Sequence, residues 1–388
     1  MKLIKNIAII SILTAGVSCE KTENIVPDFP CTKEINNHPN AAKYQKLMER
    51  LLQIGIPGVT MTVITPEGTF SKTGGKADIK NNISLSPCHT MRVGSVTKIF
   101  TSVAILKLQD EGKLNIDDKI NKYLPSTITD KLPNGNDATI KQLLRHQSGI
   151  PEYSTISNNL LISNYSIKRQ SAAEIISNIL EKKAVFSAGK GQEYSNTNYI
   201  LLGMILKSIS GKSANEVLKE KIISPLDLQN TFVSNEIPSS LSRAYNDIHD
   251  KGLMVDRTEI ENNAVGGEDI LDGGIISNSF DLATFLHALT SGQILSPKAF
   301  AQMKEFITIT QDLGDLTHIK EYGLGLMKLE TDHGIAIGHY GSVQSFNALL
   351  YHFPDQKVTV AIIRNGESTE IKKVFESKEL FNYLFENK

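Results

Sequence analysis

One short pattern in this sequence could perform nucleophilic chemistry, a serine followed three residues later by a lysine. The Ser-x-x-Lys spacing begins at Ser18, Ser95 and Ser187. Only Ser95 opens a long segment with helical periodicity, and residues three apart on a helix lie one turn along the same face. We therefore expect the amine of Lys98 to reach the Ser95 hydroxyl and to activate it as a nucleophile. The alternative is that Ser95 only caps the helix and that Lys98 is solvated.

Two further short motifs follow in an order that fits this chemistry. The single Tyr-x-Asn of the chain begins at Tyr194, 99 residues after Ser95, and the single His-x-Gly begins at His339, 145 residues after Tyr194. A nearby phenolate, like a nearby amine, is one way to activate a serine. Each motif alone also has a structural interpretation, a buried tyrosine beside a helix cap or a strand histidine before a turn. Together and in this order, the motifs favour catalysis.

Composition and missing motifs exclude several other functions. The 41 Lys+Arg against 42 Asp+Glu give a net charge of −1, which argues against nucleic acid as the main ligand. The 388 residues are 40% hydrophobic and 21% charged, as expected for a globular protein. The sequence has no H-E-x-x-H, C-x-x-C or G-x-S-x-G, so zinc sites and the nucleophile elbow have no support.

The elements that must position these residues follow from hydrophobic periodicity. Helices are predicted over residues 41–54, 96–111, 139–146, 171–183, 197–209, 213–223, 279–289, 297–306 and 372–385. Strands are predicted at 59–64, near 70, and at 324–327, 335–337, 348–350 and 358–363. Both ends of the chain contain helices and strands, whereas the centre is helical. This arrangement predicts an α+β fold, with an antiparallel sheet flanked by helices plus a mostly helical subdomain. The predicted α/β part covers about 41–100 and 265–388, and the helical part about 101–264.

The first residues have the pattern of an export signal. Lys2 and Lys5 precede an apolar run over 7–17, which is typical of a signal peptide and too short to span a membrane. The predicted signal covers residues 1–18. Cys19 stands where cleavage would fall, so the segment also resembles a bacterial lipoprotein signal, whose cysteine is acylated. The alternative is a plain signal peptide with an incidental cysteine.

The residues after Cys19 suggest a tether and leave two cysteines to be explained. Residues 19–40 are polar, contain three prolines and predict a tether. Cys31 and Cys88 remain, and disulfides persist in exported proteins. A disulfide between these cysteines and two unpaired thiols both stay open.

Beyond the three motifs, whole blocks of sequence resemble one superfamily. The blocks are MRVGS at 91–95, LLRHQSG at 143–149, YSNTNYILLG at 194–203, GGIIS at 273–277, YGLG at 322–325 and GHYGS at 338–342. The chain resembles the serine β-lactamase and penicillin-binding-protein superfamily, in the branch of class C β-lactamases, DD-carboxypeptidases and family VIII esterases. The similarity runs from about residue 41 to residue 388, which is the predicted catalytic domain.

The resemblance implies a role for each motif residue. Ser95 would be the acylated nucleophile, and Lys98 and Tyr194 would share the proton transfers, with the choice of base left open. Asn196 would donate its amide to the substrate carbonyl. The backbone N–H groups of Ser95 and Ser342 would form the oxyanion hole.

The third motif departs from the pattern of many β-lactamases, which place a lysine there to bind the substrate's carboxylate. His339 replaces that cation and is mostly neutral near pH 7 at an ordinary pKa. Tyr340 replaces the usual small hydroxyl residue, whereas Gly341 lets the strand come close to the bound substrate. His339, Gly341 and Ser342 are thus the substrate-binding candidates of this strand, and its departures weaken the case for penicillin-type specificity.

These observations predict a serine hydrolase that works through an acyl-enzyme. DD-carboxypeptidase-like or other peptidase activity ranks first, and a carboxylesterase or weak β-lactamase is the alternative. A non-catalytic, surface-anchored binding protein is the alternative of another class. The resemblance implies no metal and no organic cofactor. The expected partner is a small-molecule or peptide substrate, with no nucleic acid, and with membrane contact only through the lipid anchor. The protein would be an exported bacterial lipoprotein, periplasmic or at the cell surface, of unassigned oligomeric state.

Overall fold

The computed structural model describes residues 34–154, 170–233, 235–311, 316 and 318–385. The α-helices are α1 (Ala41–Gln53), α2 (Thr97–Asp110), α3 (Ser126–Thr129), α4 (Ile140–Leu144), α5 (Ala172–Ser177), α6 (Thr197–Ser210), α7 (Ala214–Leu218), α8 (Thr258–Ala264), α9 (Ser279–Thr290), α10 (Pro297–Met303), α11 (Thr369–Phe375) and α12 (Asn382–Phe385). Short 3₁₀ turns cover Gly94–Val96, Ile120–Lys122 and Lys378–Phe381, and a π turn covers Lys219–Ile223.

Fourteen strands lie in the described part of the chain. They are β1 (Gly58–Thr65), β2 (Gly68–Asp78), β3 (Ile83–Ser84), β4 (Met91–Arg92), β5 (Tyr245–Asn246), β6 (Val255–Asp256), β7 (Ile276–Ser277), β8 (Ile307–Thr308), β9 (Ile319–Tyr322), β10 (Met327–Thr331), β11 (Gly334–Val343), β12 (Phe346–Phe353), β13 (Val358–Arg364) and β14 (Gly366–Glu367).

Nine of these strands form one antiparallel sheet in the order β3-β2-β1-β13-β12-β11-β10-β9-β8. Strands from the first and last parts of the chain meet at its centre, where Val59 lies opposite Arg364 in the β1–β13 pair. The predicted α+β class, with an antiparallel sheet built from both ends of the chain and a helical centre, is confirmed. The predicted residue boundaries between the two parts stay predictions.

Both faces of the sheet are buried, because each is covered by helices. One apolar cluster includes residues of α1, of α11 and of the chain end near Leu384. The other joins the opposite face to α2, α9 and the helical centre, where Phe100 stacks on Phe285 with ring centroids 3.7 Å apart. The sheet therefore lies between two cores, and its residues that face α2 can be held in fixed positions.

Helix α2 is more deeply buried than its sequence pattern predicts. The pattern indicates an amphipathic helix, yet every residue from Thr97 to Leu106 is buried, including the charged Lys98. The first ten residues of the helix lie inside the molecule, so the alternative that Lys98 is solvated is wrong. A lysine in such a place needs hydrogen-bond partners for each of its donors.

The helices of the centre form where the pattern predicts them, but several are shorter. The predicted helix over 171–183 ends at Ser177, and the one over 213–223 changes to the π turn after Leu218. The start of each is fixed by a capping box, with Ser171 and Ser213 as the N-caps. The residues that cap the start of a helix can be recognised in the sequence, whereas the last residue of a helix depends on packing.

The predicted closing helix over 372–385 is divided. Helix α11 starts earlier, at Thr369, because the Ser368 side chain caps it, and a 3₁₀ turn separates it from α12. The single long helix predicted from the amphipathic pattern is therefore wrong.

The last residues of the predicted tether pack on the sheet. The N–H of Ile35 bonds to the carbonyl of Ser71 at 2.8 Å, and the His38 ring bonds to Thr65 at 2.8 Å. This end of the tether is therefore held on the domain. The predicted signal, Cys19 and Cys31 lie outside the described residues, whereas Cys88 is buried and disulfide-bonded. Within the described ranges, no helix is long and apolar enough to cross a membrane.

Candidate active site

Ser95 lies in the 3₁₀ turn that leads directly into helix α2. Strand β4 precedes this turn, and its Arg92 pairs with Ile276 of β7. Ser95 is partly exposed and lines a cleft of about 540 Å³ together with Asn196 and Ser342. Three of the residues predicted to act on a substrate therefore meet in one cavity, although they are far apart in sequence.

Lys98 lies one helical turn behind Ser95, and all three of its N–H donors are used. Its Nζ donates to Ser95 Oγ at 2.9 Å, to Asn196 Oδ1 at 2.7 Å and to the Asp272 carbonyl at 2.6 Å. The side chain is fully buried, and this burial lowers the lysine pKa to about 8, although Asp272 and Glu152 raise it in part. Lys98 can therefore lose its proton near physiological pH.

The chemistry of the three partners fixes where the lone pair of a neutral Lys98 must point. The Asn196 side-chain oxygen and the Asp272 carbonyl are acceptors only, so each retains an N–H of the amine. Ser95 is the one partner of the three that also carries a proton to donate. The lone pair of neutral Lys98 therefore faces the Ser95 hydroxyl, which is the geometry required of a general base.

Tyr194 lies near both Ser95 and Lys98, within a cluster of aromatic rings. Its ring centroid is 4.9 Å from Lys98 Nζ and 4.3 Å from the His146 ring. Desolvation raises the pKa of the Tyr194 phenol well above its ordinary value, and a hydrogen bond with Ser95 opposes this rise only in part. Tyr194 therefore holds its proton, which suits a proton donor better than a base.

His146 supports this cluster from behind and was not among the predicted site residues. Its Nδ1 accepts from the backbone N–H of Ser195 at 3.2 Å and from the Asn198 side chain at 3.2 Å. Burial lowers the His146 pKa well below its ordinary value, so the ring is neutral. The histidine fixes the backbone beside Tyr194 and packs on its ring.

Two carboxylates lie close to Lys98, and the motif search missed both. Glu152 accepts from the Asn196 N–H at 2.5 Å, and Asp272 accepts from the Tyr153 hydroxyl at 2.8 Å. Burial raises the Asp272 pKa, while the charge of Lys98 lowers it. The only sequence signal for Asp272 is its place directly before the GGIIS block, and Glu152 has none.

Strand β11 lies against the turn that carries the nucleophile. A Cβ on Gly341 would lie 2.0 Å from the Val93 carbonyl and 3.1 Å from the Ser95 nitrogen, whereas a Cβ on Gly94 would lie 2.7 Å from the Ser342 nitrogen. Only glycine allows two backbones to approach so closely. The backbones of Ser95 and Ser342 thus lie close together, and both residues line the cleft, as the expected oxyanion hole requires.

His339 is placed behind the cleft, with both ring nitrogens bonded inside the protein. Nδ1 donates to the Tyr340 carbonyl at 2.5 Å and Nε2 accepts from the Tyr322 hydroxyl at 3.0 Å. Burial and the charge of Lys98 lower the His339 pKa to about 3, so the ring is neutral. The structure thus brings His339 near Tyr194, 6.4 Å between ring centroids, but gives it no cationic charge to offer a carboxylate.

Tyr340 precedes Gly341 on the strand, and a Cβ on Gly341 would face the Ser95 turn. Because successive side chains of a strand point to opposite faces, Tyr340 points away from the nucleophile. Its hydroxyl contacts Asn347 at 2.5 Å and Glu376 at 2.7 Å. The unusual tyrosine therefore packs between the sheet and the end of α11. In the described residues, no cluster of three or more His, Cys, Asp or Glu side chains could hold a metal ion.

Comparison with known proteins places the chain in one family. The family model described as Beta-lactamase matches residues 41–375. The chain is 24% identical over 335 residues to Protein flp of Staphylococcus aureus (strain MW2), an alignment that covers 85% of this chain and 64% of that protein. It is 26% identical over 321 residues to Penicillin-binding protein 4* of Bacillus subtilis (strain 168), covering 79% of this chain and 68% of that protein.

Solved structures show the same fold. A D-stereospecific amidohydrolase from Streptomyces sp. is 26% identical, with a TM-score of 0.70 over 86% of this chain and 97% of that chain. The D-amino acid amidase from Ochrobactrum anthropi SV3 is 24% identical, with a TM-score of 0.75 over 88% of this chain and 95% of that chain. The second likeness concerns the fold alone.

Proposed function

The chain belongs to the Beta-lactamase family of serine hydrolases, and we propose that it cleaves peptide bonds of peptidoglycan-type or related peptides, as a DD-carboxypeptidase does, through an acyl-enzyme on Ser95. The observation that carries this proposal is the triple hydrogen bonding of the buried Lys98, which directs its lone pair to Ser95. A protein that only binds a ligand has no need of a desolvated lysine in that position.

In the proposed mechanism, neutral Lys98 takes the Ser95 proton as Oγ attacks the substrate carbonyl. The backbone N–H groups of Ser95 and Ser342 stabilise the oxyanion of the tetrahedral intermediate. Tyr194 passes a proton to the leaving amine, and Lys98 restores the proton of Tyr194. Water then attacks the acyl-enzyme and releases the acid, which regenerates Ser95.

The walls of the cleft support a peptide as the substrate. Side chains with carboxamide groups line the cleft at Gln170, Asn196, Asn246, Asn263 and Gln344. Carboxamides donate and accept hydrogen bonds, as the backbone of a bound peptide requires. Because the oxygen of Asn196 faces Lys98, its NH₂ group is the one available to a substrate carbonyl.

The experiment is intact-mass spectrometry after mixing the chain with a penicillin, an activated ester and a peptide that ends in D-Ala-D-Ala. We expect adducts on Ser95 and release of D-alanine from the peptide, with no adduct on Ser95→Ala. Turnover of the ester alone would favour an esterase, and rapid turnover of the penicillin a β-lactamase. Absence of adduct and turnover with all three would contradict the proposal and favour the binding protein.

We also propose that the protein is exported and anchored by acylated Cys19, with a Cys31–Cys88 disulfide. The predicted signal over 1–18 supports export, and the disulfide at Cys88 fits an oxidising compartment.

A further inference from the structure

Helix α8 contains a buried glutamate that the proposed mechanism does not use. The Glu261 side chain is 1% exposed, and its Oε1 accepts the backbone N–H of Ser345 at 2.8 Å. Its Oε2 has no hydrogen-bond partner among the described residues. A carboxylate that is buried with one oxygen unpaired is costly, so its presence requires an explanation.

Ser345 lies in the tight turn that follows the oxyanion strand. Val343 of β11 pairs with Phe346 of β12, so the turn consists of Gln344 and Ser345 alone. Gln344 has a φ of +40°, a conformation that residues other than glycine rarely adopt. The surroundings must therefore hold this turn in shape, and Glu261 bonds to its second residue.

The residue after Glu261 contacts the segment that leads to Ser95, the other expected oxyanion donor. Asn262 Oδ1 accepts from Arg92 at Nε, 3.2 Å, and at Nη2, 2.9 Å. Arg92 is fully buried and lies three residues before Ser95. Ser345 lies three residues after Ser342. Two successive residues of one helix thus contact both segments that supply the oxyanion donors.

We propose that Glu261 is a positioning residue that, together with Asn262, fixes the spacing between the Ser95 and Ser342 N–H groups. The inference rests on the proposed function of Ser95 as the nucleophile. Glu261 acts through the turn and touches no substrate atom. Loss of its acceptor frees the turn, so the Ser342 N–H moves away from the developing oxyanion and acylation slows.

Titration of Glu261 gives this role a signature in the pH profile. Burial raises its pKa to about 7, opposed by the hydrogen bonds to Ser345 and by the charges of Arg92 on β4 and Arg257 before α8. Ionised Glu261 makes a charge-assisted bond to the turn, and protonation weakens it. Acylation should therefore fall as the pH falls through 7, in addition to the loss caused by protonation of Lys98.

The test compares Glu261→Met, Glu261→Gln and Glu259→Gln, an exposed glutamate of the same helix. Acylation by an activated ester and by a penicillin is timed by mass spectrometry from pH 5 to 9. For Glu261→Met we expect at least a tenfold lower acylation rate at an unchanged KM. For Glu261→Gln, whose neutral carboxamide mimics the protonated acid, we expect a rate at pH 8.5 between those of Glu261→Met and the wild type. Below pH 7 its slope should be one log unit per pH unit, where the wild type is steeper. Glu259→Gln should match the wild type.

A folded Glu261→Met that acylates at the wild-type rate would overturn the inference, as would a Glu261→Gln profile identical to that of the wild type. Hydrogen exchange of the segment 342–347 provides a readout that does not depend on activity. Its amides should exchange faster in Glu261→Met than in Glu259→Gln, and faster at pH 5.5 than at pH 8 after correction for intrinsic rates. If the wild type forms no adduct with either probe, the proposed function fails. In that case, hydrogen exchange of 342–347 that is equal in Glu261→Met and Glu259→Gln would also overturn the positioning role.

Discussion

At the scale of single residues, the two candidate bases next to Ser95 have opposite electrostatic environments. Desolvation lowers the pKa of Lys98 to about 8, because it disfavours a cation, and raises that of Tyr194, because it disfavours a phenolate. The same burial thus prepares the lysine to accept a proton and the tyrosine to keep one. Sequence alone left this choice open, since a motif specifies residue types and not their burial.

The first prediction concerns the pH dependence of acylation. Above pH 7 the rate should rise with pH and level off above about 8, because the protonated lysine that dominates below pH 8 cannot accept the Ser95 proton. Lys98→Met should lower the rate on the order of 10³-fold. Lys107→Met, on the same helix and away from the cleft, is the control. A rate independent of pH between 7 and 9 would contradict the role of Lys98.

The second prediction concerns Arg257, a cation on the cleft wall. Since His339 is neutral, Arg257 is the better candidate to attract the carboxylate of a peptide's last residue. Arg257→Gln should raise KM about tenfold for a peptide with a free carboxylate, the size of one charge-assisted hydrogen bond, and leave KM for its amide-capped analogue unchanged.

The Arg257 measurement is made at pH 8.5, above the Glu261 pKa of about 7, because the charge of Arg257 helps to keep that pKa low. Arg243→Gln is the matched control, because Arg243 faces Asp78 and Asp256 and does not line the cleft. Equal effects on the free and the capped peptide would contradict carboxylate recognition by Arg257.

Some residues of the candidate site could be predicted from local sequence patterns, and others could not. Ser95, Lys98, Tyr194 and Asn196 were predictable, because helical spacing and short motifs reveal them, and the structure brings all four together. Asp272 and Glu261 were not, because each contacts the site through a residue more than 80 positions away in the sequence. No periodicity in the sequence encodes such a contact.

At the scale of elements, the close approach of β11 to the Ser95 turn predicts the effect of one methyl group. Gly341→Ala would place its Cβ 2.0 Å from the Val93 carbonyl, so the strand and the turn must separate. We expect acylation to fall at least 10²-fold, because the oxyanion donors separate. The free energy of unfolding should fall by about 1–3 kcal/mol, the usual cost of overpacking.

Gly273→Ala is the control for this change, since a Cβ there has its nearest neighbour at 3.7 Å, an ordinary contact. Its thermal melting temperature should equal that of the wild type. Chemical denaturation of both variants and timed acylation of Gly341→Ala provide the measurement. A Gly341→Ala protein that acylates normally would show that the two backbones are not held as described.

Elements differ in how far the sequence determines them. Strands such as β13 were placed nearly to the residue, because a run of β-branched residues from Val358 indicates a buried strand. The end of α5 was not, because the pattern continues past Ser177 while the helix does not. Helix α2 was placed well but its environment was mistaken, since three apolar positions do not show whether the other faces are also covered.

At the scale of the whole molecule, the chain returns to its own beginning, so that β1 and β13 adjoin in the sheet. Ser95 lies where this sheet meets the helical centre. Periodicity predicted both parts but could not give the strand order, because pairing between distant strands leaves no local mark. A covalent link near this junction should contribute to stability.

Such a link is present at Cys88, three residues before β4. With Cys31 as the partner, the closed loop should contribute roughly 4 kcal/mol to the free energy of unfolding in the chain-entropy model. Reduction should therefore lower the melting temperature of the wild type, whereas reductant should not affect Cys88→Ser. Peptide mapping without reductant is expected to recover a Cys31–Cys88 pair. A Cys19–Cys88 pair would contradict both this pairing and the acylation of Cys19.

The final prediction concerns attachment of the whole chain to a membrane. If residues 1–18 form a lipoprotein signal, the mature chain begins at Cys19 and carries its acyl chains there. Because a single acyl chain binds only marginally and two signals give stable anchoring, the mass of the detergent-extracted protein should include more than one chain. Cys19→Ser should move the protein to the soluble fraction while adduct formation on Ser95 persists, since the site residues all lie beyond residue 90. A mature chain with unmodified Cys19, soluble in the wild type, would support the plain signal peptide instead.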